Sequence, residues 1–357
     1  MNVLLALSLV LYVALSFGIT EADENYENCV RKDGISGACV PLNKCPRILQ
    51  LFNEYKTISN KDKLYLRNSQ CPNRKKNHVC CEEMSPGMRL LNDQDCGYFG
   101  GKIKTVGGNK LKLMSRPWMA LLRLQINGTS KFACGGTLIT PRFVLTAAHC
   151  IEGNNEFKLV YVRLGEHSIS NKEDCDVINN QTRCAPPYQD VLPERTFTHK
   201  DYNHFSGVND IALIKLSEDA RTTRNIRPIC LPLNDTLQEL AETLSDFRVT
   251  GWGFTEAGIF SDVPTEVEVP RRTCRQSSQR QVESTQLCAG TLNRDSCRGD
   301  SGGPLFELTG LYKESQKFVQ FGIVSYGSQR CGDGHPGVYT NVAHFMHWIS
   351  DTIGNNN

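Results

Sequence analysis

Neither sign of charge is in excess in this chain: 40 Lys and Arg stand against 38 Asp and Glu, a formal charge of +2 over 357 residues. That balance excludes the basic face of a nucleic-acid binder and leaves no strong field to steer a charged partner. Internal repeats and low-complexity tracts are lacking, which excludes solenoids and other repeat arrays. Long apolar runs are lacking after the first 18 residues, so the rest of the chain offers no membrane-spanning helix. Helical spacing is nearly lacking as well. Only "NVAHFMHWISDTI" near the C-terminus shows it, with Val342, Phe345, Met346 and Ile349 on one face.

The exception among apolar runs is the first, "MNVLLALSLVLYVALSFG", which is uncharged and precedes the polar "ITEADENYENC". It fits a secretory signal over residues 1–22. The alternative is a membrane anchor, but about 17 residues are short for a spanning helix and no basic stop-transfer cluster follows. Sixteen cysteines, an even number, imply an oxidising compartment and a disulfide framework. "NGT" at Asn127, "NQT" at Asn180 and "NDT" at Asn234 are acceptors for N-glycosylation on the same secretory route. Each also needs an exposed loop, so about one or two of the three are expected to carry glycan.

The cysteines divide the chain. Cys29, Cys39, Cys45, Cys71, Cys80 and Cys81 crowd residues 29–81, where apolar residues are too sparse to fill a core without staples. Six cysteines permit about fifteen connectivities, and spacing does not choose among them. Residues 82–104 have the Gly, Pro and polar composition of an exposed linker, with a lone Cys96 that needs a distant partner. From residue 105 onward, short runs such as "WMALLRLQI", "FVLTAA", "KLVYVRLG", "DIALIKL" and "FVQFGIVSYG" are punctuated by Gly, Pro, Asn and Asp. They predict an all-β barrel or sandwich domain of about 250 residues.

"DSCRGDSGGPL", Asp295 to Leu305, is the most informative stretch. A serine flanked by glycines can sit on a tight turn that exposes its hydroxyl, and the amides of Gly299 and Ser301 can converge on one oxyanion. An ordinary Gly-Ser turn is the plain alternative. "LTAAHC" places His149 at the end of an apolar run. "NDIALIKL" places Asp210 where a charge enters a buried strand, which is costly unless the carboxylate is hydrogen-bonded. Each alone has a structural reading. Together, in the order His, Asp, Ser, they supply a base, its orienting carboxylate and a nucleophile.

On "PWMALL", "CGGTLIT", "LTAAHC", "NDIALI", "VTGWG", "GDSGGPL" and "PGVYTNV", in that order, residues 105–350 resemble the trypsin-like serine proteases of the chymotrypsin fold. The resemblance implies an all-β fold of two six-stranded antiparallel β-barrels with a C-terminal helix, the triad lying in the cleft between them. It implies His149 as general base and then acid, Asp210 as its orienting group, Ser301 as nucleophile, the Gly299 and Ser301 amides as oxyanion hole, and no cofactor for catalysis. Asp295, six residues before Ser301, matches the floor of the specificity pocket, with Gly327 and Gly337 as its walls. A carboxylate there favours cleavage after Arg, with Lys second. Tyr326 stands where Trp is more usual. Family pairing would join Cys134 to Cys150, Cys274 to Cys288, Cys297 to Cys331, Cys96 to Cys230, and Cys175 to Cys184. Glu166 and Asp174, with the carbonyls of Ser168 and Asn171, match the family's calcium loop, a solvated acidic loop being the alternative.

The six-cysteine module, ending in the doublet "CC", resembles the CLIP domain of arthropod cascade proteases, here residues 28–81. Family pairing would be Cys29 with Cys80, Cys39 with Cys71 and Cys45 with Cys81. The junction "KIKTVGGNK" then reads as an activation site at the end of the 82–104 linker, opening a protease domain over 105–357. Cutting after Lys104 would free Thr105, whose ammonium would pair with Asp300. Thr105 departs from the usual Ile or Val. The resemblance implies a secreted zymogen in a haemolymph-like fluid. Its partners would be an upstream activating protease, a downstream protease zymogen as substrate, and a serpin inhibitor, in an innate-immune cascade of the Toll or prophenoloxidase kind. The rivals are a developmental patterning protease, a digestive trypsin and a non-catalytic CLIP cofactor; the last conflicts with the presence of Ser301.

Overall fold

The computed structural model describes residues 26–45, 48, 60–72, 75–82, 84–98, 109–152, 157–254, 259–274, 282–292, 295–313, 315–328 and 333–357. The expected signal segment 1–22, the junction at Lys104 and Thr105, and Cys331 lie outside them. The chain divides into two units, Met1–Met84 and Ser85–Asn357.

In the first unit, β1 (Asn28–Val30), β2 (Ser36–Pro41) and β3 (His78–Glu82) form one antiparallel sheet in that order, accompanied by helix α1 (Asn60–Asn68). Its apolar core is small: Val40, Ile48, Tyr65 and Val79, with cysteines between them. Bridges Cys29–Cys80, Cys39–Cys71 and Cys45–Cys81 supply what that core cannot. The buried Arg31 is neutralised by Asp33 and Glu82 and lies 4.1 Å over the Tyr65 ring, so a charge enters this core only with its partners.

The second unit contains two barrels. In the first, β5 (Met119–Ile126), β6 (Thr129–Thr140), β7 (Phe143–Thr146), β8 (Phe157–Leu164), β11 (Gln189–Val191), β12 (Pro193–Thr198) and β13 (Ala212–Leu216) run in the order β11-β8-β5-β6-β7-β13-β12. Only Leu192 separates β11 from β12, so one bent segment pairs with β8 through its first part and with β13 through its second. That makes a six-membered circuit. The hairpin β5–β6 turns on Asn127 and Gly128, both at positive φ (49° and 78°), the turn chemistry that matches strand twist. A small separate ribbon, β9 (Cys175–Ile178) with β10 (Gln181–Cys184), is closed by the bridge Cys175–Cys184.

The second barrel is β14 (Asp246–Gly251), β15 (Thr265–Arg272), β16 (Gln286–Ala289), β17 (Pro304–Tyr312), β18 (Ser315–Tyr326) and β19 (Gly337–Asn341), in the order β14-β17-β18-β19-β16-β15, closed by pairing of β15 with β14. The two-residue β4 (Asn109–Lys110), just after the junction, pairs with Thr265 and Glu266 of β15. Trp118, fully buried at the start of β5, packs its ring 5.6 Å from Phe306 and 5.3 Å from Phe318 on the other barrel. This contact fuses the cores and sets the cleft between the barrels.

The expected C-terminal helix is α4 (Met346–Gly354), preceded by a 3-10 turn over Val342–Phe345. In this second unit two further helices form, as α1 does in the first, where no helical spacing was read. Helix α3 (Asp235–Thr243) is capped by the Asn234 side chain, which accepts from the Leu237 amide at 2.9 Å. Helix α2 (Pro86–Asp93) corrects the reading of 82–104 as exposed linker: Leu91 is 1% exposed and a Cβ on Gly87 would stand 1.9 Å from the Ser350 carbonyl. Ser85 at the N-cap followed by Pro86 was the legible signal.

Candidate active site

His149 sits on a 3-10 turn (Ala148–Cys150) directly after β7, and the bridge Cys134–Cys150 staples that turn to β6. Asp210 enters just before β13 and is 2% exposed. Its carboxylate accepts from the His149 ring Nδ1 at 2.7 Å, the His149 amide at 3.0 Å and the Ser325 hydroxyl at 2.5 Å. Burial by itself would raise this carboxyl's pKa, but the hydrogen bond and charge of His149, with the Ser325 hydroxyl, outweigh it and hold the group below its ordinary value. An ionised carboxylate only accepts, so it fixes the proton on Nδ1 and leaves Nε2 free as a base.

Ser301 lies on the turn after Cys297, held by hydrogen bonds from the Asp300 amide to the Cys297 carbonyl (3.0 Å) and from the Gly303 amide to the Asp300 carbonyl (2.8 Å). The Gly135 amide of β6 donates to the Ser301 carbonyl at 2.8 Å, tying the turn to the other barrel. Gly302 is at φ 78°, and a Cβ on it would stand 3.2 Å from Cys150 Sγ, itself 3.6 Å from His149 Nε2. Gly302, next to Ser301, thus lies against the Cys150 sulfur that adjoins the His149 ring, and no hydrogen bond joins Ser301 Oγ to Nε2 among the described residues. Nor does any described group accept from the amides of Gly299 or Ser301. These two donors beside a half-buried serine are what an acyl-transfer oxyanion requires.

The three pocket residues also converge. A Cβ on Gly337 would stand 2.8 Å from Asp295 Oδ1, and one on Gly327 would stand 3.7 Å from the Gly337 α-carbon. The Asp295 carboxylate accepts from the Ser296 amide at 2.8 Å. Tyr339, whose hydroxyl donates to Ser296 at 3.1 Å, has its pKa raised first by burial and then by the charge of Asp295. Gly337 thus leaves no room for a side chain beside the Asp295 carboxylate, whereas a Cβ on Gly327 would make only an ordinary contact.

Asp300 is cradled by the Gly-Trp-Gly of "VTGWG". Its Oδ1 accepts from the Gly253 amide at 2.9 Å and its Oδ2 from the Cys297 amide at 3.0 Å, and a Cβ on Gly251 would stand 2.0 Å from Oδ1. Desolvation pushes its pKa up to about 6 despite those two amides. No cation pairs with it among the described residues.

In the acidic loop, the Glu166 and Asp174 carboxylates both accept from the His167 amide, at 2.9 and 3.1 Å. Asp174 also accepts from the Ser168 amide at 3.1 Å, and the Ser168 carbonyl turns back to the Asn171 amide at 3.0 Å. Burial first, then the charge of Asp174, raises the Glu166 pKa over the opposing effect of Arg163. Glu166 also accepts from the Arg163 guanidinium at 3.0 Å, so hydrogen bonds already engage both carboxylates of the expected calcium loop. The only cluster of three His, Cys, Asp or Glu ligand atoms among the described residues is Cys134, His149 and Cys150, whose two sulfurs are bonded to each other.

The other marked residues fall as follows. Asn127 and Asn180 occupy exposed turn positions, whereas Asn234 is half-buried as the cap of α3. Cys96 is bonded to Cys230 and Cys274 to Cys288; Cys297 is disulfide-bonded, and Cys331 is outside the described residues. Sequence reasoning missed Ser325, Gly251 and Gly253. Ser325 belongs to "VSYGS", read for Tyr326 and Gly327 but not for its first serine, and the two glycines belong to "VTGWG", read only as a family mark.

The Trypsin family pattern matches residues 105–349, and that of the Regulatory CLIP domain of proteinases matches residues 29–81. The chain is 41% identical to "Serine protease grass" of Drosophila melanogaster, covering 96% of each chain. It is 36% identical to "Phenoloxidase-activating factor 3" of Holotrichia diomphalia over 92% of this chain and 94% of that one. The crystal structure of the Drosophila Grass clip serine protease of the Toll pathway superposes with a TM-score of 0.71 at 40% identity, covering 93% of this chain and 99% of that chain. The chain therefore belongs to the trypsin family of serine endopeptidases and carries a regulatory CLIP domain ahead of its protease domain.

Proposed function

We propose that this protein is a secreted zymogen of an extracellular innate-immune cascade, of the Toll or prophenoloxidase kind, which cleaves a downstream protease zymogen after Arg or Lys. The observation that carries this reading is the joining of a CLIP module to the His149–Asp210 pair and the Asp295 slot in one chain. Relatives named for the Toll pathway and for phenoloxidase activation support the setting.

In this reading the substrate's basic side chain enters the slot and its charge meets Asp295. Ser301 Oγ attacks the carbonyl carbon as His149 Nε2 takes its proton. The resulting oxyanion accepts from the Gly299 and Ser301 amides. His149 gives the proton to the departing amine, and water, activated by the same nitrogen, releases the acyl group and restores Ser301. Asp210 holds the imidazole and balances its transient charge.

Cleavage after Lys104 by an upstream protease would free the Thr105 ammonium, which would pair with Asp300 and cancel the cost of that desolvated carboxylate. The Thr105 hydroxyl would be desolvated as well, at about 1–3 kcal/mol unless bonded. Thr105→Ile should therefore raise the activity of the cleaved enzyme; no gain in activity or stability refutes that. The Cys96–Cys230 bridge would keep the residues before the cut attached.

A calcium ion held by Glu166, Asp174 and the carbonyls of Ser168 and Asn171 would stiffen the loop and take no part in the chemistry. Chelation that leaves thermal stability and activity unchanged removes it. A serpin would be the controlling inhibitor, and Asn127 and Asn180 offer the more exposed glycan positions. The deciding experiment is to cut the purified zymogen under control, add candidate zymogens and sequence the new N-termini. Ends that do not follow Arg or Lys overturn the specificity, and failure of a fluorophosphonate to label Ser301 would return the non-catalytic reading.

A further inference from the structure

Between the acidic loop 166–174 and the nucleophile turn runs a set of contacts that neither the triad nor the pocket uses. Asp262 is its centre. Its carboxylate accepts from the Ser168 hydroxyl at 2.6 Å, the Ser170 amide at 2.9 Å and the Ser170 hydroxyl at 3.0 Å, and its own carbonyl accepts from the Ile169 amide at 3.0 Å. Four hydrogen bonds thus fasten three consecutive loop residues to one residue of the stretch before β15. A second tie runs parallel: the Trp252 indole donates to the His167 carbonyl at 3.0 Å.

The stretch that Asp262 anchors is the one that covers the oxyanion turn. Two residues before it, Phe260 lays its ring against Gly299: a Cβ on Gly299, which is at φ 96°, would stand 2.6 Å from Phe260 Cε1. Phe260 packs against Phe254 with the rings tilted by 46° and centroids 4.1 Å apart, and the Phe254 amide donates to the Arg298 carbonyl at 2.8 Å. The Ser261 amide donates to the Gly253 carbonyl at 3.2 Å, and the Gly253 amide holds Asp300. Residues 298, 299 and 300 are therefore touched by Phe254, Phe260 and Gly253 respectively, and Phe260 lies two residues from Asp262.

We propose that Asp262 is a positioning residue for peptide hydrolysis: by latching the 166–174 loop to residues 259–264, it holds Phe260 and, through the Ser261 amide, Gly253 where they fix the Gly299 amide for the oxyanion. The proposal rests on the reading of Gly299 and Ser301 as oxyanion hole and nucleophile. Its physical basis is that an oxyanion donor works only when preorganised, and a glycine at positive φ has no side chain to hold itself in place. Phe260 is more than half exposed, at 55%, so burial holds it weakly and its place depends on its pairing with Phe254 and on the chain running to Asp262.

The test uses full-length protein, cut at the junction and assayed at saturating calcium on a tripeptide arginine anilide. Asp262→Ala should lower kcat by about tenfold with KM almost unchanged, because the lost contact acts on the transition state. Labelling of Ser301 by a fluorophosphonate should slow in step. Asp262→Asn should recover most of the rate, since the amide keeps one acceptor for the Ser170 N–H and offers donors that both serine hydroxyls can rotate to accept. If Asp262→Ala does not fold, the Ser168→Ala and Ser170→Ala double variant carries the same expectation. Unchanged kcat with only a lowered melting temperature overturns the proposal, as does failure of Asn to restore what Ala loses. Wild-type rates in Ser301→Ala would instead sink the underlying reading of the site.

Discussion

His149 and Asp210 are joined twice: the ring Nδ1 donates to Oδ2 at 2.7 Å and the backbone amide of the same histidine donates to Oδ1 at 3.0 Å. The second bond fixes where the histidine's backbone sits, and the first fixes how its ring turns. Asp210→Asn places an amide N–H against Nδ1 or the Ser325 hydroxyl, so the imidazole is driven to carry its proton on Nε2. Activity on arginine anilides should fall about 10⁴-fold in kcat while the melting temperature changes little. A loss below tenfold would show that the carboxylate does not set the tautomer.

The pocket wall gives a second expectation. In Gly337→Ala the new methyl would stand 2.8 Å from Asp295 Oδ1 and 3.2 Å from Ser296 Oγ. Both the slot and its charge are disturbed, and kcat/KM for arginine substrates should drop about 10- to 200-fold. Gly310→Ala is the control, because a Cβ there meets nothing within 4 Å. Steady-state kinetics on arginine, lysine and leucine anilides separates a blocked slot from a general defect.

Asp300 makes the stability of the uncut protein depend on pH. Its folded pKa, about 6, lies above the ordinary 3.8. Between those values the folded state therefore binds more protons than the unfolded one, and stability falls as pH rises. The contribution is fully present below about pH 4 and lost as pH rises through about 6. Urea denaturation of wild type and Asp300→Asn across this window should show that portion of the slope only in the wild type. Cutting after Lys104 should abolish it as well, if the new ammonium pairs with Asp300. Parallel slopes in all three proteins would contradict the assignment.

A stability prediction concerns Glu266, 1% exposed in β15. Arg116 grips it with two hydrogen bonds of 2.6 and 2.8 Å, Thr250 donates at 2.9 Å, and Arg116 lies 4.6 Å over the Phe318 ring. Glu266→Ala leaves a guanidinium among aromatic rings without its counter-charge. The loss should be about 3–5 kcal/mol in chemical denaturation, with Glu266→Gln milder because it keeps an acceptor for one Arg116 N–H. A loss under about 1 kcal/mol would mean that water reaches Arg116.

Much of the active site was legible because its chemistry lies in short stretches. "LTAAHC" and "GDSGGP" each place a functional residue beside its own staple or turn glycine, so His149, Ser301 and Gly299 could be read locally. Asp295 was legible through its spacing to Ser301. Ser325 was not, because its role depends on β18 being laid against the entry to β13, a neighbourhood no local pattern describes. Gly253 and Phe260 were equally silent: what they touch is Asp300 and Gly299, about forty residues further on. Helix α2 was hidden by composition, since Leu91 is buried only through packing that tertiary contacts supply, even though Ser85 and Pro86 announced its start.

The amino-acid sequence by itself determined the class of chemistry, the all-β architecture, the two cysteine groups and the glycines at turns, because those depend on residue type, period and nearest neighbours. Only the tertiary structure decided which donors converge on one carboxylate, which glycines are made necessary by an oxygen against them, and that three residues of the loop 166–174 are fastened to Asp262. The physical reason is range. Propensity and turn chemistry act over a few residues, whereas a hydrogen bond or a packed ring requires only that two groups meet in space, however far apart they lie in the chain.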